Sequence, residues 1–183
     1  QAYRIAEQLS VPVMVCMDGF ILTHAFEQVD VPSADDVNAF LTAYQPRQVL
    51  DPKAPLSIGA LVGPEAFTEV RYLAHVTHEN ALEVIPEVGR SFGATVGRPG
   101  VALTSTYRTS DARTVVVALG SVVGTIKDTV DELHADGHAV GVLAITSYRP
   151  FPASAVREAL AGAERVVVIE RSLAPGSGET VTA

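Results

Sequence analysis

The chain has one cysteine, no tryptophan, few aromatic residues and fewer basic than acidic side chains. A lone thiol, Cys16, excludes an intrachain disulfide framework and a cysteine-built zinc site, and fits a reducing, cytoplasmic setting. With 13 Lys or Arg against 21 Asp or Glu, the net charge of −8 offers no nucleic-acid footprint, which would need clustered basic side chains. The apolar runs are short and broken by Gly or charge, so no membrane-spanning helix is expected, and no signal-like start is present. What remains is ordinary globular composition: 183 residues, 48% hydrophobic, enough for one domain with a sizeable core or one domain plus a piece of another.

The chain opens without an initiator methionine, inside what reads as an amphipathic helix, and closes on an uncapped polar stretch, residues 176–183. A piece of a longer protein is therefore expected. Residues 3–9 read as the end of a helix. Residues 11–17, Val-Pro-Val-Met-Val-Cys-Met, read as a buried strand ending at the turn Asp18-Gly19, with Cys16 an inert core thiol. Ser33, followed by Asp35 and Asp36 and then Val37, Phe40 and Leu41, should cap a short helix. Pro46, Pro52, Pro55 and Pro64 with Gly59 and Gly63 mark a connector, because proline removes donors and holds the backbone extended. From Glu65 the apolar spacings of three, four and seven predict one long helix or two in series, kinked or divided at Pro86 and ended by Gly89, Gly93, Gly97, Pro99 and Gly100.

The last third is the most legible. Residues 114–119, Thr-Val-Val-Val-Ala-Leu, are apolar on both faces, as a buried parallel strand must be. Gly120-Ser121 follows, with Ser121 placed to cap a helix carrying Val122, Ile126, Val130 and Leu133 and stopping at Asp136-Gly137. Residues 139–145 form a second strand, Val156 and Leu160 mark a helix ending at Gly162, and residues 166–169 form a third strand. Strand, helix, strand, helix, strand with short connections implies right-handed crossovers and a parallel sheet covered on both faces.

Function in such sheets lies at the carboxyl ends of strands, so Gly120-Ser121, residues 147–151 and residues 170–172 should converge on one edge. Residues 120–127, Gly-Ser-Val-Val-Gly-Thr-Ile-Lys, have two readings. Free amides with the Ser121 and Thr125 hydroxyls would suit a phosphate cradle, but the order matches neither a P-loop nor a dinucleotide fingerprint. The alternative is a tight strand-to-helix turn, with a contact to a neighbouring domain left open. Arg149 would either hold a carboxylate or phosphate bidentately or pair with Glu170 or another domain. His24 is a candidate proton carrier, or simply structural. His75 and His78 lack a third ligand and the order of known zinc motifs, so they read as solvated helix histidines.

Three stretches in register now resemble a known family. They are Val-Met-Val-Cys-Met-Asp-Gly-Phe (13–20) with Thr23-His24, Gly-Ser-Val-Val-Gly-Thr-Ile-Lys (120–127), and Val-Gly-Val-Leu-Ala-Ile-Thr-Ser-Tyr-Arg-Pro-Phe-Pro (140–152). Together with the connector and Val-Val-Val-Ile-Glu-Arg (166–171), they are similar to the α chain of 2-oxoacid:ferredoxin oxidoreductases of the pyruvate:ferredoxin type, across nearly the whole chain.

The resemblance implies an α/β chain in three sections. Residues 1–50 would be the end of a thiamine-enzyme pyrimidine-type domain, 51–97 a connector and helices, and 98–183 a parallel-sheet domain like the carboxy-terminal domain of transketolase. The whole enzyme would decarboxylate a 2-oxoacid oxidatively, form acyl-coenzyme A, and pass electrons through 4Fe-4S clusters to ferredoxin or flavodoxin. Its cofactors would be thiamine diphosphate, Mg2+ and coenzyme A, none expected bound to this piece. The family's pyrimidine-protonating glutamate would lie ahead of Gln1, and the magnesium motif in a β subunit or a fused thiamine-binding domain. The resemblance assigns no catalytic residue, metal ligand or firm cofactor ligand here. Asp18, His24, Ser121, Thr125 and Arg149 are the candidates for facing the active site or a domain interface.

An oligomer is expected, without nucleic acid or membrane, and the piece should be inactive alone. Residues 97–104, Gly-Arg-Pro-Gly-Val-Ala-Leu-Thr, depart from the family's usual Gly-Arg-x-Tyr-Gly-x-x-Glu, and Glu170 stands where the family usually has Asp. The alternatives are a non-catalytic assembly or binding module, or the carboxy-terminal domain of another transketolase-like thiamine enzyme.

Overall fold

Ile5 and Leu9, four apart, share one face of a helix and are buried, and the long helix that follows later in the chain supplies the complementary apolar stripe. The computed structural model describes residues 1–59, 61–172, 175, 176 and 181. The described chain separates into two units: Gln1–Val15 with Gln28–Val101, and Cys16–Glu27 with Ala102–Ala183. Most of the carboxy-terminal stretch 176–183 lies outside the described residues, as does Ala60 of the connector.

The first unit is helical. Helix α1 (Ala2–Leu9) carries Ile5 and Leu9 inward. The second unit contributes the single turn α2 (Ile21–His24), and the first unit resumes with α3 (Ala34–Phe40). Ser33 caps α3 as its position foretold: its hydroxyl accepts the Asp36 amide at 3.1 Å while the Asp36 carboxylate accepts the Ser33 amide at 3.3 Å. Helix α4 (Pro64–Val96) starts with proline at its first turn and ends at Gly97, whose φ of 74° closes it in the left-handed region.

Pro86 does not divide α4. A proline forfeits one helical hydrogen bond, and the buried Ile85 and Val88 on either side hold the helix through that loss. Nor does Gly89 end it. Gly89 sits inside the helix because the backbone of Gly100 and Val101 passes against it, where a side chain would collide. Arg4 ties the unit laterally, donating to Ser91 Oγ at 2.7 Å and to the Phe40 carbonyl at 3.3 Å, with its guanidinium over the Phe40 ring.

The second unit is built on a four-stranded sheet. Strands β2 (Thr114–Ala118), β3 (Val140–Ile145) and β4 (Arg165–Ile169) run parallel, with β2 between the other two. An antiparallel edge strand, β1 (Thr104–Tyr107), pairs Thr104 with Ile145 and Tyr107 with Val142. Its Thr-Ser-Thr-Tyr sequence carries no apolar alternation, so nothing in the pattern announced it. Helix α5 (Val122–Ala135) connects β2 to β3, and α6 (Ala153–Leu160) connects β3 to β4.

The two faces of the sheet make separate cores, as alternation along a strand requires. On one, Ala118 and Val142 pack with Ile126 and Val130 of α5. On the other, Val115, Val117, Leu143 and Ile145 pack with Phe151, Val156 and Leu160. Strand β4 differs from the buried strand expected, because as an edge strand it leaves Val166, Val167 and Ile169 exposed.

Residues 11–17 are not a strand. Met14 is 86% and Met17 71% exposed, and Cys16 is exposed rather than an inert core thiol. A strand exists only with a ladder partner, and this run has none among the described residues. Among the described residues no helix is long and apolar enough to cross a membrane.

Candidate functional site

Adjacent strands β2 and β3 send their helices to opposite faces of the sheet, which opens a crevice between their carboxyl ends. The register Ala118 with Ala144 sets the loop starting at Leu119 beside the loop starting at Thr146. The first loop carries Gly120 and Ser121, the second Ser147 and Arg149.

Gly120 adopts φ +82°, which turns the chain from β2 into α5. Ser121 then occupies the N-cap position with φ −67°, but its side chain makes no cap bond to the helix, contrary to the sequence expectation. The hydroxyl is used elsewhere. Asp18, brought in by Cys16–Glu27, places its carboxylate against this turn, and the Ser121 amide donates to Asp18 Oδ2 at 2.7 Å. A Cβ at Gly120 would stand 3.1 Å from the same oxygen. Hydrogen bonding from the Ser121 hydroxyl, then from its amide, holds the Asp18 carboxyl below the ordinary aspartate value against a smaller desolvation effect, and attraction to Arg171 adds the least. An internal carboxylate therefore fills the anion position that a helix N-terminus offers.

The other candidates lie apart from this contact. Thr125 is exposed one turn further along α5, where its carbonyl accepts the Thr129 hydroxyl at 3.1 Å. Arg149 is exposed and lies over the Tyr148 ring, 4.2 Å from its centroid, donating to the Tyr148 carbonyl at 3.0 Å. The Arg149–Pro150 peptide is cis. Glu170, its suggested partner, accepts the Val181 amide at 2.9 Å. Ser147 is buried, with its amide on the Leu103 carbonyl at 3.0 Å and its hydroxyl on the Ala102 carbonyl at 3.3 Å.

His24 is exposed in α2. Its Nδ1 lies 2.7 Å from the Phe20 carbonyl, an oxygen that only accepts, so Nδ1 is the donor of this bond. His75 and His78 are exposed on α4, as read from their spacing. Among the described residues, no three His, Cys, Asp or Glu side chains group to hold a metal ion.

One polar cluster escaped the sequence reading. Asp131 of α5 accepts the Tyr107 hydroxyl at 2.8 and 2.9 Å and Arg108 Nε at 2.6 Å, while Lys127 and Arg108 flank the Tyr107 ring. Arg108 holds φ +51°, a conformation that sequence periodicity does not reveal.

Comparison with known proteins adds two matches in chain order. Residues 1–90 match the thiamine-diphosphate-binding domain model of pyruvate flavodoxin/ferredoxin oxidoreductase, and residues 112–183 match pyruvate:ferredoxin oxidoreductase core domain II. The pyruvate synthase subunit PorA of Methanocaldococcus jannaschii is 42% identical over 180 residues, 96% of this chain and 46% of that protein. PorA of Methanothermobacter thermautotrophicus is 40% identical over 94% of this chain and 45% of its own length. The ketoisovalerate oxidoreductase subunit VorA of Pyrococcus horikoshii is 34% identical over 96% of this chain and 45% of its own. The chain thus spans about half the length of the curated relatives it matches.

Proposed function

The chain belongs to the pyruvate:ferredoxin oxidoreductase family, and on that premise we propose that it is part of the α subunit of a thiamine-diphosphate-dependent 2-oxoacid:ferredoxin oxidoreductase. The observation that carries this reading is the ordered pair of family matches, 1–90 then 112–183, on one chain. The whole enzyme would cleave the bond between the carboxylate and the carbonyl carbon of a 2-oxoacid, release carbon dioxide, and join the acyl group to coenzyme A. The two electrons left by that oxidation would pass through 4Fe-4S clusters to ferredoxin or flavodoxin. Pyruvate is the favoured substrate, since the relatives of higher identity are pyruvate synthase subunits, with a branched 2-oxoacid second.

Bound thiamine diphosphate would supply the carbanion chemistry of decarboxylation. The described residues do not fit its diphosphate or its Mg2+. The helix N-terminus nearest the crevice already takes the Asp18 carboxylate, whose charge repels a phosphate, and no metal-ligating trio is grouped among the described residues. We therefore place the diphosphate and metal on another domain or a β subunit. We read residues 1–50 as the end of a pyrimidine-type domain, 51–97 as connector and helices, and 98–183 as the transketolase-like domain. The role of this stretch is chiefly domain and subunit assembly, a reading supported by its exposed apolar side chains, among them Phe67, Tyr72 and Leu73 of α4. Asp18, His24, Ser121, Thr125 and Arg149 are then interface or active-site-facing residues of an oligomeric, cytoplasmic enzyme.

The test is anaerobic expression of the full-length chain with its partner subunits, followed by viologen reduction with pyruvate, 2-oxoglutarate and branched 2-oxoacids. Reduction that depends on coenzyme A and on one acid supports the reading and names the substrate. No reduction by any acid, with thiamine diphosphate and clusters verified, would sink it in favour of an assembly module.

A further inference from the structure

Residues Cys16–Glu27 belong to the sheet unit, although the residues on both sides of them in sequence belong to the helical unit. Eleven of these twelve residues are exposed; Asp18 alone is half-buried. No side chain of α2 is buried, so apolar packing does little to hold the segment in place. It does keep a fold of its own. The Ala25 amide donates to the Ile21 carbonyl at 3.0 Å, the His24 ring bonds the Phe20 carbonyl, and the Phe20 and His24 rings lie 5.2 Å apart.

We propose that Cys16–Glu27 is a strap latched at one point, the Asp18 carboxylate on the Ser121 turn at the carboxyl end of β2, and that breaking this contact frees the strap as a unit. Three observations converge on it. The Ser121 amide and Asp18 Oδ2 are 2.7 Å apart, a charge-assisted bond aligned with the N-terminus of the fourteen-residue helix α5. Gly120 leaves the space that the carboxylate fills, since a Cβ there would stand 3.1 Å from it. Arg171, following β4, is the charged side chain that adds attraction from a second element. The strap lies on the side where the crevice between β2 and β3 opens, and it carries the exposed His24, whose Nδ1 is bonded to the Phe20 carbonyl. The state of the latch therefore decides where that imidazole is presented.

The experiment is limited chymotrypsin digestion of the full-length protein in its native assembly, read by mass spectrometry at Phe20, Leu22 and Phe26. Asp18→Ala removes the acceptor. Ser121→Pro removes both donors while keeping a backbone that proline accepts, φ −67° at a position outside the helical ladder. Both should raise cleavage in the strap by about tenfold, with cleavage elsewhere in the sheet unit unchanged. Ser121→Ala, which keeps the amide, should fall between them and the parent and guards against a misfolded proline variant. Strap cleavage equal to the parent in Asp18→Ala and Ser121→Pro would overturn the latch. So would a parallel rise of cleavage in β2 and β3, which would make Asp18 an ordinary stabilising residue of the whole unit. The digestion needs no turnover, so its outcome is independent of the proposed activity.

Discussion

Asp18 and Ser121, 103 residues apart in the chain, are joined by a 2.7 Å bond between the carboxylate of one and the amide of the other. The contact lies at the start of the 120–127 turn. The turn does bind an anion, as free amides at a helix start should, and that anion is the protein's own. The small residue it needs is Gly120, whereas Gly124 has open space where a side chain would be.

Two glycines with nearly equal backbone angles separate conformational strain from loss of this contact. Gly120 has φ +82° and Gly137 φ +85°, but only at Gly120 would a Cβ approach another group, Asp18 Oδ2 at 3.1 Å. Gly137→Ala should cost about 1 kcal/mol, the strain of alanine in the left-handed region. Gly120→Ala should cost measurably more in chemical denaturation. Equal losses would show that Asp18 yields freely to the new methyl group.

In the helical unit, Gly89 and Gly100 allow two backbones to touch. A Cβ on Gly89 would collide with the Val101 carbonyl, and one on Gly100 with the Gly89 backbone. Neither obstacle is the far end of a flexible side chain. Gly89→Ala should therefore destabilise by about 2 kcal/mol or more, although alanine is otherwise the better helix former. Thermal unfolding of the variant at or above the parent midpoint would contradict this.

Leu143 and Val166 test how unevenly the sheet is packed. Leu143 is 0% exposed at the centre of the face covered by α6, whereas Val166 on the edge strand is 45% exposed. Leu143→Ala should cost about 2–5 kcal/mol through lost transfer energy and the cavity left behind. Val166→Ala should cost about 1 kcal/mol or less. Denaturation curves with similar losses would mean that β4 is covered on both faces.

Strands β2 and β3 and helix α5 were legible because runs such as Thr-Val-Val-Val-Ala state burial on both faces and a following Gly-Ser states the turn. The same logic misread residues 11–17, since an apolar run records a preference for burial and not the partner that would satisfy it. Edge strand β1 went unseen because its place depends on hydrogen bonds to β3 rather than on an apolar pattern. Asp18 and Ser121 were each singled out, but a bond across 103 residues has no period in the sequence. The cluster around Asp131 had no signature either, because Arg108 reaches it from a left-handed turn.

That cluster gives a pH dependence of definite sign. The Tyr107 hydroxyl first, and Arg108 next, hold the Asp131 carboxyl below the ordinary aspartate value. A group whose pKa is lower folded than unfolded stabilises the fold fully above its unfolded value, and that contribution vanishes as pH falls through the folded one. Tyr107→Phe removes the main cause, so the parent should exceed this variant in stability by a constant amount at neutral pH. Below about pH 4 the difference should shrink toward zero, as Asp131 protonates in both proteins. Urea denaturation of the pair across this range measures it directly. A difference that grows on acidification would reverse the sign and place the pKa shift in the unfolded chain or on another group.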